Sequence, residues 1–171
     1  MNNMERMREK EKLLTYEEVK EMFDCDPEKG ILIWKNCSSI RPLNGTIAGN
    51  LQSSGYVVVQ IKAKDYRYHR VIWLLVTGKW PENQIDHING IRNDNRFCNL
   101  REATQSQNGA NTLSRSNSSG YKGVTKTRKK WVARISLNNK RMTIGRYNTP
   151  EEAHAAYVAK AKELFGEYAK V

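Results

Sequence analysis

Cysteine is scarce in this chain of 171 residues: there are three, at 25, 37 and 98, and no Cys-x-x-Cys pair among them. An odd, widely spaced set excludes a disulfide scaffold and a zinc ribbon, and the thiols read as buried free groups. Long apolar runs are missing too. The longest, VIWLLV at 71–76, is far too short to cross a bilayer, and the opening MNNMERMREKEKLL alternates charge with no apolar targeting segment. These features read as a soluble, intracellular, cytoplasmic protein with no membrane partner. Acidic residues are the third deficit, 18 against 29 Lys and Arg, which leaves a net charge of +11. A surface so charged seeks a polyanion, and charge alone does not choose among nucleic acid, acidic lipid and acidic protein. Apolar residues still make up 39% of the chain, so it is not a disordered basic tail.

What is present is unevenly spread. Residues 120–171 hold 12 Lys and Arg against 4 Asp and Glu, whereas residues 1–119 hold 17 against 14. The C-terminal third is therefore the electrostatic anchor. The chain is long enough for one ordinary core or two small ones, which argues against one large catalytic domain. No internal repeat is visible.

Local signals outline the elements. Thr15 and Glu18 form a capping box ahead of Val19, Met22 and Phe23, which predicts a short helix at about 15–23. ILIW at 31–34, YVVVQI at 56–61 and DYRYHR at 65–70 read as strands. Residues 71–77 are apolar on every side and fit a buried helix or a buried strand equally. NTLSRSNSSG at 111–120 has the composition of a linker. Beyond it YKGVT, WVARISL and KRMTIGRY read as three strands, the last two joined by an Asn138-Asn139 turn. Thr149, Pro150 and Glu152 then start a helix whose apolar face carries Ala153, Ala156, Tyr157, Ala161, Leu164 and Phe165 and which ends before Gly166.

One stretch concentrates chemistry. QIDHINGIRNDNRFCNL, residues 84–100, sets Asp86 beside His87 and follows them with Asn89, Asn93, Asn95 and Asn99. Asn108, at the end of TQSQN, comes 21 residues after His87. With YRYHRVIWLL before the motif and DNRFCNLREATQSQN after it, the span 56–112 resembles the HNH family of metal-dependent nucleases, in the phage and intron-encoded branch that has Asn in place of the last His. The resemblance implies a β-hairpin and helix gripping a divalent metal. It implies His87 as general base, Asp86 and Asn108 as metal ligands, and Asn99 as the residue that holds the hairpin and orients His87. Neutral imidazole can take a proton from water near neutral pH, and a carboxylate with an amide oxygen suits Mg²⁺, with Mn²⁺ able to substitute. Adjacent residues on a flat strand point to opposite faces, so Asp86 and His87 are expected to straddle a phosphate, close to the Asn89-Gly90 bend. Asn89, Asp94 and Asn95 read as turn and capping groups. Arg92 and Arg96 suit phosphate contact or plain solvation, His69 a packing or hydrogen-bonding role, and His154 the surface.

Residues 121–168, with YKGV, KWVARI, IGRYNTPEEAHAAY and LFGEYA, resemble the DNA-binding domain of the apetala-two and ethylene-response-factor family, three antiparallel strands on one helix. The resemblance implies a sheet laid in the major groove of DNA. Alternation puts Trp131, Ala133, Ile135, Met142 and Ile144 toward the helix and Val132, Arg134, Ser136, Arg141 and Thr143 outward. Trp131 reads as core. Lys122, Arg134 and Arg141 are the leading DNA contacts, Lys126, Arg128, Ser136 and Thr143 further candidates, and Lys129 and Lys130 nonspecific phosphate contacts or solubilising charge. Thr125, Thr127, Ser136 and Thr143 depart from that family's Arg and Trp, so its sequence preference does not carry over.

The expectation is an α+β protein: an N-terminal α/β extension at 1–55, a ββα-metal nuclease core at 56–112, a linker at 113–120, and a DNA-binding domain at 121–171 with a small three-stranded antiparallel sheet on one helix. The expected activity is Mg²⁺-dependent cleavage of double-stranded DNA, nicking or double-strand, by a monomer of homing or free-standing phage type with no obligate protein partner, acting in a bacterial cytoplasm if phage-encoded. The competing expectation is an inactive DNA-binding regulator.

Overall fold

The structure is a computed structural model that describes residues 3–36, 44–112 and 119–171. Helices and small antiparallel sheets share the chain, the α+β class expected. Contacts divide it into two units, one ending at Glu102 and one beginning at Ala103.

The first unit opens with α1 (Asn3–Glu11) and α2 (Tyr16–Met22), followed by the hairpin β1 (Phe23–Asp26) and β2 (Ile31–Trp34). The capping box forms as read: Thr15 accepts from the Glu18 N–H, and Glu18 accepts from the Thr15 N–H. A second sheet has the order β3 (Asn50–Leu51), β4 (Val57–Ile61), β5 (Lys64–Arg67). Residues 68–70 correct the expected strand. They open α3 (Tyr68–Thr77), which also settles the helix-or-strand question at 71–77. The helix closes at Gly78 in the left-handed conformation, φ 78°.

Helix α3 wins because its surroundings bury its first five residues and Leu74, leaving only the last turn exposed. Val71, Ile72 and Leu74 are at most 1% exposed, and they share one core with Leu14, Val19, Phe23, Leu32, Val59 and Ile61. Residues before 56 are thus part of the same core as the segment that follows them. Arg70 is also fully buried, matched by Glu11 through Nε at 2.6 Å and Nη2 at 2.8 Å, and by the carbonyls of Asn83 and Pro81. After α3 come β6 (Gln84–His87), a 3-10 turn at Phe97–Asn99, and β7 (Leu100–Ala103), which pairs with β6.

The second unit begins with α4 (Gln105–Asn111) and continues with β8 (Val124–Thr127), β9 (Lys130–Leu137), β10 (Lys140–Tyr147) and α5 (Pro150–Phe165). The sheet order is β10-β9-β8, antiparallel throughout. Asn138 and Asn139 make the expected turn with φ of 50° and 62°. The α5 capping box and its Pro at the first turn form as read. Ala153, Tyr157, Ala161 and Phe165 of α5 pack on Val124, Ala133 and Ile135. Gly123 makes this close approach possible: a Cβ there would lie 2.2 Å from the Tyr157 ring, and its φ is +72°.

Two residues of this sheet depart from the alternation. Val132, expected outward, is 2% exposed, because β9 is the central strand and Thr125 and Arg146 flank Val132 on either side. Met142, expected inward, is 37% exposed on edge strand β10, where the register shifts between Thr143 and Gly145.

Helix α4 belongs by contacts to this unit and not to the strands before it. Ala110 joins the α5 core, its carbonyl accepts from the Lys170 N–H, and Ser106 hydrogen-bonds Asn138. The compact division therefore falls ahead of the expected linker, most of which, like Cys37, lies outside the described residues. The other thiols correct the reading of buried cysteines in part: Cys25 is half-buried and pushed up to about 11 by burial, but Cys98 is exposed. No helix among the described residues is long and apolar enough to cross a membrane.

Candidate active site

Strand β6 carries Asp86 and His87 into the interior, at 4% and 5% exposure. Their side chains meet different partners, as alternation requires. Asp86 Oδ2 accepts from Nε of Arg101 on β7 at 3.0 Å, and Nη2 of the same guanidinium lies 3.0 Å from it in an ion pair. The His87 ring packs edge-on against His69, with centroids 5.0 Å apart, and lies 6.1 Å from the Tyr56 ring.

His87 Nε2 lies 3.2 Å from Asn95 Oδ1. In the tautomer that makes this a hydrogen bond, Nε2–H donates and Nδ1 carries the basic lone pair. Asn95 is itself 3% exposed, and its Nδ2 donates to the Asn93 carbonyl, which turns Oδ1 toward the histidine. Burial lowers the pKa of His87 below the ordinary histidine value, with Asn95 and Asp86 pulling the other way. The ring is thereby held neutral, the form a general base needs.

The connection from β6 to β7 is a long loop and not a two-residue hairpin, and asparagines tie it together. Gly90 bends it at φ +78°, with its N–H donating to the His87 carbonyl. Asn89 Oδ1 accepts from the Ile91 N–H, and Asn89 Nδ2 donates to Asp94 at 2.7 Å. Asn99 Oδ1 accepts from the Asn89 N–H at 3.0 Å, while Asn99 Nδ2 donates to Asn89 Oδ1 and to the Asp94 carbonyl. The hydrogen bonds to Arg96 are the largest cause that pushes the Asp94 carboxyl down to about 2.

The turn between β1 and β2 supports this loop from behind. Phe97 N–H donates to the Pro27 carbonyl, and a Cβ on Gly30 would lie 2.3 Å from the backbone of Asn95 and Arg96. His69, the N-terminal neighbour of buried Arg70, is 5% exposed, and its Nδ1 has no hydrogen-bond partner among the described residues. Burial first, then the charges of His87, Arg70 and Arg67, hold its pKa well below the usual range.

The first unit thus brings Asp86, His87 and Asn99 together through one strand pair and its loop. Asn108 sits on α4 in the other unit, its N–H donating to the Thr104 carbonyl. Among the described residues no group of three or more His, Cys, Asp or Glu is placed to hold a metal ion. The donors named for one are instead a carboxylate and an amide, a hard-oxygen set chemically suited to a weakly held Mg²⁺. Reasoning from sequence missed three residues at the site: Asn95, set aside as a turn group, and Arg101 and Tyr56, for which the sequence carried no signal.

In the second unit, Arg134 pairs across the strands with Thr143, and Ser136 with Arg141. Four of the residues nominated for DNA contact thus share one face of β9 and β10. Arg134, Ser136 and Arg141 line a cavity of about 410 Å³ with Ser106 and Gly109 of α4. Lys126 lies over the Trp131 ring at 5.4 Å, and Arg128 sits in the β8–β9 turn with φ +52°. Trp131 packs on the α5 core as expected. Lys122 is placed differently from a presented DNA contact: its half-buried ammonium donates to the carbonyls of Ala110 and Lys170. Burial lowers its pKa. His154, read as a surface residue, is stacked on Tyr121 with a buried Nδ1.

Residues 66–110, which take in Asp86, His87, Asn99 and Asn108, match the family model described as HNH endonuclease. Over 121 residues the chain is 36% identical to a protein of Acanthamoeba polyphaga mimivirus named as an uncharacterized HNH endonuclease, covering 70% of this chain and 63% of that relative. The chain therefore spans about 63% of the length of the relative it matches. No solved structure matches. The strand pair and loop that carry Asp86, His87 and Asn99 accordingly lie within the segment similar to HNH endonucleases.

Proposed function

We propose that this protein is a metal-dependent DNA endonuclease in which His87 is the general base. The observation that carries the proposal is the fixed, buried imidazole of His87, bonded to Asn95 and adjacent to Asp86, inside the HNH-matching segment. Held neutral by burial, His87 takes a proton from the attacking water at Nδ1. Asn99 positions His87 by fastening the loop that follows it to β7. Asn95 fixes the tautomer.

HNH nucleases in general require a divalent metal, and Asp86 and Asn108 are the residues that would hold it here, with Mg²⁺ the expected ion. When bound, such an ion supplies positive charge to the phosphate and to the leaving 3′ oxygen. Arg101 contributes in its absence by orienting the Asp86 carboxylate through their ion pair. The C-terminal module, read as similar to the apetala-two type, binds duplex DNA through Arg134, Arg141, Ser136 and Thr143, with Lys126 and Arg128 on the backbone. Its charge excess and the shared face of those four residues support this.

The test is supercoiled plasmid incubated with the protein and with His87→Ala, in Mg²⁺ or in EDTA. Nicked or linear product only with Mg²⁺ and the intact histidine is the expected result. The Asp86–Arg101 ion pair favours a second reading, in which the guanidinium takes the place of a metal and the chain binds DNA without cutting it. Binding by both forms with no cleavage in Mg²⁺ or Mn²⁺ would establish that second reading.

A further inference from the structure

Near His87, across the Tyr56 ring, lies a pair of arginines, of which Arg92 was left between phosphate contact and plain solvation and Arg67 was given no role. Arg67 closes β5 at the start of α3, and Arg92 belongs to the loop after β6, so 25 residues separate them in sequence. Both guanidiniums lie over one ring: Arg67 4.8 Å and Arg92 5.0 Å from the centroid of Tyr56. Arg92 is fastened further by donating from Nη1 to the Ser54 carbonyl at 2.8 Å. The same Tyr56 ring lies 5.7 Å from His69 and 6.1 Å from His87.

Three other arginines of this unit are matched with carboxylates, Arg70 with Glu11, Arg96 with Asp94 and Arg101 with Asp86, whereas among the described residues Arg8 of α1 meets only the Glu82 carbonyl. Among the described residues neither Arg67 nor Arg92 makes an ion pair, and both are exposed. Two like charges within about 10 Å, as their distances to one ring require, raise each other's energy unless an anion lies near. The aromatic face offsets part of that cost and fixes the guanidiniums without neutralising them. Planar forks in that state suit phosphate oxygens, and a nucleic-acid strand presents one phosphate about every 3.4 Å of axis.

We propose that Tyr56 holds Arg67 and Arg92 as a phosphate clamp that grips the substrate strand next to the phosphodiester presented to His87. The inference rests on the nuclease reading above for its geometry along the strand. It assigns the contacts in the catalytic unit to a built pair of side chains and not to the basic C-terminal module alone.

The test uses the full chain in EDTA, a fluorescent duplex, and anisotropy titrations across a KCl series. Each phosphate contact contributes about 0.9 to the slope of log affinity against log salt, so Arg67→Gln/Arg92→Gln should flatten the slope by about 1.8 and weaken binding roughly 60-fold at 0.1 M salt. Arg67→Lys/Arg92→Lys keeps the charges and should retain most of the slope. A two-charge control, Lys12→Gln/Lys79→Gln, should change it by less than half as much. Tyr56→Leu, which frees both guanidiniums, should weaken binding with both arginines still present. A slope for the Gln pair equal to wild type, or matched by the lysine control, overturns the clamp. Plasmid cleavage by the wild type in Mg²⁺ is scored separately: a flattened slope without cleavage retains the clamp and sinks the nuclease reading alone.

Discussion

His87 Nε2 and Asn95 Oδ1 stand 3.2 Å apart in a buried pocket, and the amide of Asn95 is turned that way by its own bond to the Asn93 carbonyl. The pair sets which ring nitrogen is basic. Asn95→Ala is expected to lower kcat about 10- to 100-fold, the usual cost of losing a partner that orients a functional histidine, with KM within threefold. Asn95→Asp keeps the acceptor and adds negative charge, which favours imidazolium. Its acid limb in kcat against pH should move upward relative to wild type. An unmoved limb would remove Asn95 from the proton-transfer network.

Acid should destabilise the first unit in a window set by histidine. His69 is neutral in the fold with its pKa well below 6.5, and His87 is lowered as well, while the unfolded chain titrates both near 6.5. The unfolded state therefore binds more protons below 6.5, so stability is full above that pH and falls as the pH drops toward the folded values. The limiting slope is about 1.4 kcal/mol per pH unit for each histidine held neutral. Asp94, at about 2 in the fold against 3.8, loses its contribution only below about pH 4. Urea unfolding at pH 7, 6 and 5 should show declining midpoints. A flat series would mean that the histidines are solvated in solution. Around His69 stand His87, Arg67, Arg70 and Tyr56, and the charges of the first three act with burial to lower its pKa.

The buried pair of Glu11 and Arg70, 5% and 2% exposed at the side chain, pins α1 to the start of α3. Removing one partner leaves the other charge unmatched in the core. Glu11→Gln and Arg70→Met are each expected to cost about 3–5 kcal/mol, and the double Glu11→Leu/Arg70→Met less than either. Denaturant titrations arranged as a double-mutant cycle measure the coupling. Additive costs would show that the ion pair is not what holds α1.

Gly30 has φ +68°, and a Cβ would meet backbone atoms of Asn95 and Arg96, which cannot swing aside as a flexible side chain would. Gly30→Ala should cost at least about 1 kcal/mol and shift the Asn95 amide off His87. The expected signature is a fall in cleavage that exceeds what the loss of folded protein explains. Unchanged kcat with lowered stability would confine Gly30 to a structural role.

Much of the framework was readable because its signals are local. The capping boxes at Thr15 and Thr149, the Asn138-Asn139 turn and the apolar face of α5 each depend on residues within a few positions of one another. Asp86, His87 and Asn99 were nominated by resemblance, and the structure puts them on one strand pair and its loop. Whether 71–77 formed a helix was not written in periodicity, since a segment apolar on every side shows none. Burial by α2, β1 and β4 decided it.

By itself the sequence determined the charge excess, the order of local elements and the chemical types in the active segment, since composition and short-range hydrogen bonding settle those. Tertiary structure alone decided which groups act on one another. Asn95 reaches His87, Arg101 reaches Asp86, and Arg67 and Arg92 meet over Tyr56. These partners are brought together by strand pairing and loop closure across stretches of chain that carry no local mark of the meeting. An exposed Met142 and a buried Val132 have the same cause, because alternation says which face a residue takes and the neighbouring strands say whether that face is covered.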